Sequence, residues 1–435
     1  MNLRKKSFLL GMVLVLVTGT LFAAGAAETK VAAVKEGPTT ITYYTWDDAS
    51  HRALIDAFNA SQSEVFVDGK ILASADYETK LTTLLSGRAN IDCFMEKRQG
   101  DMFAQYANGY IEPLNSYFTK TGASTAAVDA YRSSVTIGDD IVCIPWRGGS
   151  YYTYFNKNVF KKAGIPTPDY YVARGEWDWE KFTEVSKAIT AADPSLIGAS
   201  IYFWGSQGFW MAGQAQDKVL TSDGKIDNIS NVTRQLAMRK DLEDAGAMWS
   251  LIDMKVTKTH YSKQFYDGNV GMLIIGEWFP GQMTTGERDG LLRGFTKADY
   301  GITRMPCDNE VYSTVGLPTS NHITSYSKKK DASFAFIEWM GGPEGAKVAA
   351  SFGVLPAIST DEVRTIIGKN LPDESSLNYF LEDRKNYTAN FSKYSSRVEA
   401  MFDQMQEEFI LGKINEAQFE KKFTEGLKEI VDTTF

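Results

Sequence analysis

An α/β fold of two domains, each a mainly parallel sheet flanked by helices, is what this 435-residue sequence predicts. Three observations carry the prediction. Strand-like and helix-like segments alternate from Thr40 to Lys97, the pattern of a parallel sheet covered by helices. The run from Val270 to Ile275 has no polar side chain and reads as a strand buried on both faces. About 395 residues remain once the N-terminus is set aside, more than one hydrophobic core usually organises.

The N-terminus reads as an address. Arg4, Lys5 and Lys6 precede an apolar stretch from Phe8 to Phe22, and small residues follow from Ala23 to Ala27. Basic, apolar and small segments in that order are the layout of a secretory signal peptide, with cleavage expected near Ala26 or Ala27. The apolar stretch is shorter than the roughly 20 residues that span a bilayer. An uncleaved anchor is the alternative; a lipid anchor is not expected, since no cysteine lies at the junction. Residues 1–27 are therefore assigned to the signal and 28–39 to a linker, which places the mature chain outside the cytoplasm, periplasmic or extracellular.

From Thr40, "ITYYTW" alternates and is β-rich, ending at Asp47 and Asp48. "ASHRALIDAFNAS" spaces Leu54, Ile55 and Phe58 as a helix does. "VFVDGKIL" is a second strand, and "DYETKLTTLLSG" a second helix with Asp76 as N-cap and Gly87 as stop. "IDCFM" is a third strand, closed by Glu96 and Lys97. Between Asp139 and Pro166 a strand, a break at Pro145 and a Tyr-rich strand are followed by a helix and a Gly/Pro turn. "WDWEKFTEVSKAIT" is an amphipathic helix capped by Asp178, with Phe182, Val185 and Ile189 on one face. Trp204 and Trp210 sit beside glycines, which suits a loop entering a helix. "YGITRMP" and "STVGLPTSNHIT" are strand-like, two helices flank Gly341-Gly342-Pro343, and Asp361 to Phe435 is mostly helical.

Composition excludes several functions. Forty-six basic against 54 acidic side chains give a net charge of −8, with no basic run to neutralise phosphates, so nucleic acid is not an expected partner. Cys93, Cys143 and Cys307 are too few and too scattered for a disulfide framework; Cys93 and Cys143 read as small buried residues. No nucleophile elbow, phosphate loop, H-E-x-x-H or C-x-x-C motif is present, and no cofactor or metal is expected. His51, His260 and His322 are isolated. Asp47, Glu96 and Glu277 are the carboxylates that a glycoside hydrolase would need in pairs, which keeps a secreted carbohydrate-active enzyme as the alternative function.

The aromatic residues are the positive signal. A sugar ring offers an apolar face that an indole covers and a rim of hydroxyls that a carboxylate or guanidinium bonds. Trp46-Asp47, Trp146-Arg147 and Glu277-Trp278 each pair an indole with an ionic group where a strand stops, the end at which α/β sheets bind ligands. Trp177, Trp179, Trp249 and Trp339 lie in or beside helical patterns and read as packing residues.

Several segments, in order, resemble the extracellular solute-binding proteins of bacterial ABC importers, the large sugar-binding family that includes the maltose-binding protein. They are "DYETKLTTLLSGRANIDCF" with "FAQYANGYIEPLNSYF", "IPWRGGSYYTYFNKNVFKKAGIPTP" with "WDWEKF", "FYDGNVGMLIIGEW", "YGITRMP", "SFAFIEWMGGPEGAK" and "GVLPA". The resemblance covers nearly all of the mature chain. It implies the two-lobed periplasmic-binding-protein fold, lobes of 40–145 with 314–352 and of 146–313 with 353–435, and a ligand cleft at the hinge. It also implies a monomer that captures a solute, delivers it to a membrane permease and is not an enzyme. By similarity Trp278 stacks on the ligand, while Trp46, Asp47, Glu96 and Lys97 contribute from the first lobe. Trp146 and Arg147 lie at the first crossover, Glu277 stands beside Trp278, and Trp204 and Trp210 are weaker correspondences. Trp146 is larger than the family's usual residue, and a cationic Arg147 beside it is compatible with an acidic or differently shaped ligand.

Overall fold

The computed structural model describes residues 37–215, 219–382 and 386–434, so the expected signal segment and the linker as far as residue 36 lie outside the described residues. Residues Pro38–Phe435 form one compact unit built around two large sheets, with two small two-stranded ones beside them. Nine strands make up the large sheets: β1 (Thr39–Trp46), β2 (Val65–Leu72), β3 (Cys93–Glu96), β4 (Ile144–Arg147), β5 (Tyr151–Asn156), β6 (Ile197–Ile201), β7 (Val270–Gly276), β8 (Tyr300–Arg304) and β9 (Thr319–Ile323). The first sheet has the order β2-β1-β3-β9-β4 and the second β8-β5-β7-β6. Each lies in its own hydrophobic core, so the molecule is two-lobed.

Both sheets mix strand senses. β2, β1 and β3 run parallel, joined by helical crossovers, while β9 pairs antiparallel with both β3 and β4. In the second sheet β6 and β7 are parallel and β5 pairs antiparallel with β7 and β8. Parallel pairs arise where a helix returns the chain within one lobe; β9, which pairs antiparallel, is the strand that returns from the second lobe. β7 is central and every residue in it is buried, which is why its sequence is a continuous apolar run rather than an alternating one.

Local signals hold with two differences. Asp178 caps the helix Trp179–Ala192, accepting from the Lys181 amide at 2.7 Å. Asp76 stands at the N-cap of the helix Tyr77–Ser86, yet its side chain makes no cap bond and pairs instead with Lys80 at 3.3 Å. The expected break at Pro145 is absent: Pro145 lies within β4. A proline is tolerated there because β4 is an edge strand, paired only with β9 and at a register shift.

Chain crossings between the lobes are packed side by side. Gly148 donates its amide to Leu355 O at 3.1 Å, and Gly316 and Leu317 both donate to Gly149 O at 3.0 Å. Ala357 donates to Trp146 O at 3.1 Å. Three separate segments therefore touch at one place, and Gly149 is what admits them: a Cβ there would stand 2.0 Å from the Leu317 backbone. Gly149→Ala is expected to cost about 1–3 kcal/mol of stability, read as a lowered midpoint in denaturant unfolding. An unchanged midpoint would show that the crossings separate freely.

Candidate functional site

The second lobe contributes the end of β7. Trp278 takes the N-cap position of the helix Phe279–Arg288 and turns its ring back over the strand. Gly276 makes that possible, since a Cβ on it would lie 2.1 Å from the indole. The indole N–H donates to the Tyr261 hydroxyl at 2.7 Å, and the ring meets Tyr151 edge-on at 5.6 Å. Trp204 stands 6.2 Å from Trp278 and 5.7 Å from Tyr261. The result is an aromatic wall whose orientation is set by hydrogen bonds as well as by burial.

Strand ends of the first lobe form the facing group. Trp46 closes β1 and packs edge-on against His51 at 4.6 Å and Tyr77 at 5.4 Å; His51 in turn touches Trp146 at 5.3 Å. The Lys97 ammonium lies 5.6 Å from the Trp46 ring centre and bonds Ser74 O at 2.8 Å. Glu96, buried at the end of β3, accepts from the Lys97 and Arg98 amides at 3.1 Å and from Gln105 Nε2 at 2.5 Å. Burial, with the nearby Asp101 charge, nevertheless pushes its carboxyl up to about 8.

Arg147, at the end of β4, joins the two groups. Its guanidinium carbon lies 5.0 Å from the Trp278 ring centre and 5.4 Å from that of Trp146. Its Nε–H donates to Thr319 Oγ1 at 2.8 Å and lies 3.6 Å from Glu277 Oε1. Glu277 is wholly buried, and among the described residues neither of its oxygens has a hydrogen-bond partner. Burial lifts its carboxyl to about 8, against the opposing pull of Arg147. The Trp146 N–H is likewise buried and unpartnered.

Trp146, Arg147, Trp204, Glu277 and Trp278 thus lie in one cluster, and Trp46 with Lys97 adjoins it through His51. Two other positions sit differently. Asp47 is exposed and paired with Arg52 at 2.8 Å, a surface contact worth at most about 1 kcal/mol. Trp210 is completely buried in the second core, donating to Glu399 at 2.6 Å and packing on Phe209 and Phe391. Tyr151, Tyr261 and His51 orient the cluster and were not singled out from the sequence. Tyr151 had a faint signal in the Tyr-rich strand; Tyr261 and His51 had none, because their partners are remote in sequence or on another element.

Among the described residues no group of three His, Cys, Asp or Glu side chains is placed to hold a metal ion, and no helix is long and apolar enough to cross a membrane. Residues 53–364 match the family of bacterial extracellular solute-binding proteins. The chain belongs to that family. A binding protein of Brucella abortus (strain 2308) is 24% identical over 352 residues, covering 76% of this chain and 77% of its own.

Solved solute-binding structures share the fold. A sugar transporter protein from Rhizobium etli, in an open conformation, superposes with a TM-score of 0.72 at 24% identity, over 90% of this chain and 99% of its own. An ABC substrate-binding protein from Listeria monocytogenes in complex with cycloalternan gives 0.74 at 20% identity, over 91% and 99%. A solute-binding protein from Thermotoga lettingae bound to α-D-tagatose gives 0.74 at 18%, over 90% and 100%.

The raised Glu277 carboxyl sets a pH dependence. A group that holds its proton more tightly when folded stabilises fully below its unfolded value near 4.5 and loses that contribution as pH rises toward about 8. Glu96 acts in the same sense. Glu277→Gln is therefore expected to match the parent near pH 4.5 and to exceed it by on the order of a few kcal/mol at pH 8 and above. Denaturant midpoints at the two pH values measure this; a gap that does not widen with pH would mean that Glu277 is ionised when folded.

Proposed function

We propose that this protein is the substrate-binding component of an ABC importer, capturing a sugar or oligosaccharide outside the cytoplasmic membrane and passing it to the permease. The observation that carries the reading is the indole pair Trp278 and Trp146, one from each sheet, with the Arg147 guanidinium between them and Glu277 3.6 Å from it. Such a set matches both the apolar face and the hydroxyl rim of a sugar. Family membership supports the solute-binding role and an exported location, and the sugar-bound structural relatives support the ligand class. Arg4 to Phe22 and the small residues after it have the composition of an export signal.

Among the described residues, two of the three candidate carboxylates are taken up by partners within the chain. Asp47 is at the surface with Arg52, and Glu96 accepts from two backbone amides and Gln105. Binding is therefore the chemistry assigned to the cluster: the lobes close over a guest that leaves unchanged. The monomer is taken as the working unit, and the lobe limits 40–145 with 314–352 and 146–313 with 353–435 stay as proposed, except that β4 carries Trp146 and Arg147 into the first sheet.

Thermal-shift screening against sugars should reveal ligands by a raised melting temperature, since a ligand at a hundred times its Kd adds about 2.7 kcal/mol. For the sugar so found, Trp278→Ala is expected to weaken binding by about 2 kcal/mol, roughly 30-fold, with a native circular dichroism spectrum. Unaltered affinity by calorimetry would remove Trp278 from the binding surface.

A further inference from the structure

The charge balance around Arg147 is incomplete. Its side chain is 13% exposed, and among the described residues its one hydrogen bond runs from Nε to Thr319 Oγ1. A guanidinium carries five N–H donors and stays protonated in any protein, so four donors and a full positive charge remain to be met. The nearest acid, Glu277, stands at 3.6 Å, beyond hydrogen-bond distance, and among the described residues its two buried oxygens have no partner. An ionised carboxylate with no donor is among the costliest groups to bury, so Glu277 rests there as the neutral acid.

Other charges nearby are already engaged. Lys97 is paired with Glu78 at 3.4 Å and bonded to Ser74. Asp48 accepts from the Ser50 amide at 2.8 Å and the Ser50 hydroxyl at 2.6 Å, capping the helix Ala49–Ser61. His51 is kept neutral by burial, which holds it at about 4. What is left is a cation between two indoles, with its outer N–H groups free, next to an uncharged carboxyl.

We infer that the cluster selects an acidic sugar, a uronate whose carboxylate takes the free N–H groups of Arg147 while its ring lies on Trp278 and its hydroxyls bond Glu277. The inference rests on the sugar reading above and deepens it. A planar guanidinium meets a carboxylate through two parallel N–H···O bonds, a fit that a hydroxyl cannot reproduce. A neutral sugar would leave those donors without a charged acceptor.

The test is calorimetric titration of the whole protein at pH 7 with matched pairs: D-galacturonate and D-galactose, D-glucuronate and D-glucose, digalacturonate and galactobiose. In whichever pair binds, the acidic member is expected to be about tenfold or more tighter. Arg147→Gln should collapse that ratio to about threefold or less, and Arg147→Lys should keep part of it, since the charge survives and the planar fork does not. A neutral member bound as tightly as its acid overturns the inference and leaves the sugar reading standing. So does a ratio that survives Arg147→Gln in a protein with a native melting curve. If that variant does not fold, the ratio in the unaltered protein decides alone. Silence from every pair overturns both readings.

Discussion

Close contact among the chain crossings is the constraint from which the rest follows. Gly149 lies against the Leu317 backbone with no room for a side chain, and Gly148 bonds Leu355 across the same junction. The strand that leaves the first sheet, β4, and the strand that opens the second, β5, are separated by only Gly148, Gly149 and Ser150. Arg147 at the end of β4 is thereby delivered to the end of β7, which is the neighbour of β5. A longer or looser junction would leave Arg147 and Glu277 on separate surfaces. Their 3.6 Å approach is a consequence of backbone packing rather than of a bond between the two side chains.

That origin explains why the approach is electrostatically imperfect. Ion pairs that hold a fold together are bonded; here Arg147 is close to a buried carboxyl that, among the described residues, has no hydrogen-bond partner. Burying an ionised carboxylate costs several kcal/mol unless good geometry restores it, and the geometry here stops short, so the acid keeps its proton. Elsewhere buried acids are bonded: Glu243 takes Arg239 at 2.6 Å, and Asp92 accepts from the Thr42 amide and the Ser327 hydroxyl. Among these three acids Glu277 is the one with neither oxygen bonded to a described residue. Strain and unsatisfied groups of this kind concentrate at functional sites.

Much of this was legible in the sequence where a local rule governs. The apolar run of β7, the Asp178 cap and the strand-helix alternation of the first 60 or so mature residues are dictated by neighbours a few positions away. The ordered family segments extended that reading to the whole chain. Local rules misled at Pro145, because whether a strand is central or at an edge depends on pairing with β9, some 175 residues later. They were silent on Tyr261 and His51, whose roles come from contacts with Trp278 and Trp146. Among the aromatics, Trp210 and Trp278 look alike in sequence, each beside a glycine. Only the packing separates them, one donating to Glu399 inside a lobe and the other holding a wall of the cluster.

Orphaned atoms also give the proposed cycle an energetic scale. Driving a two-state equilibrium from 1:99 to 99:1 takes about 5.5 kcal/mol of ligand preference for one state. Each buried polar atom left without a partner costs about 1–3 kcal/mol. Among the described residues the two Glu277 oxygens and the Trp146 N–H are three such atoms. A guest that bonds all three on closing recovers an amount of the required order, and does so only in the closed arrangement. Parting of the lobes in the proposed cycle wets these atoms, so the open form bears no such cost. In the proposed cycle, then, the groups that recognise the solute and the groups that resist empty closure are the same groups, so affinity and discrimination against closing without cargo cannot be tuned independently at Glu277.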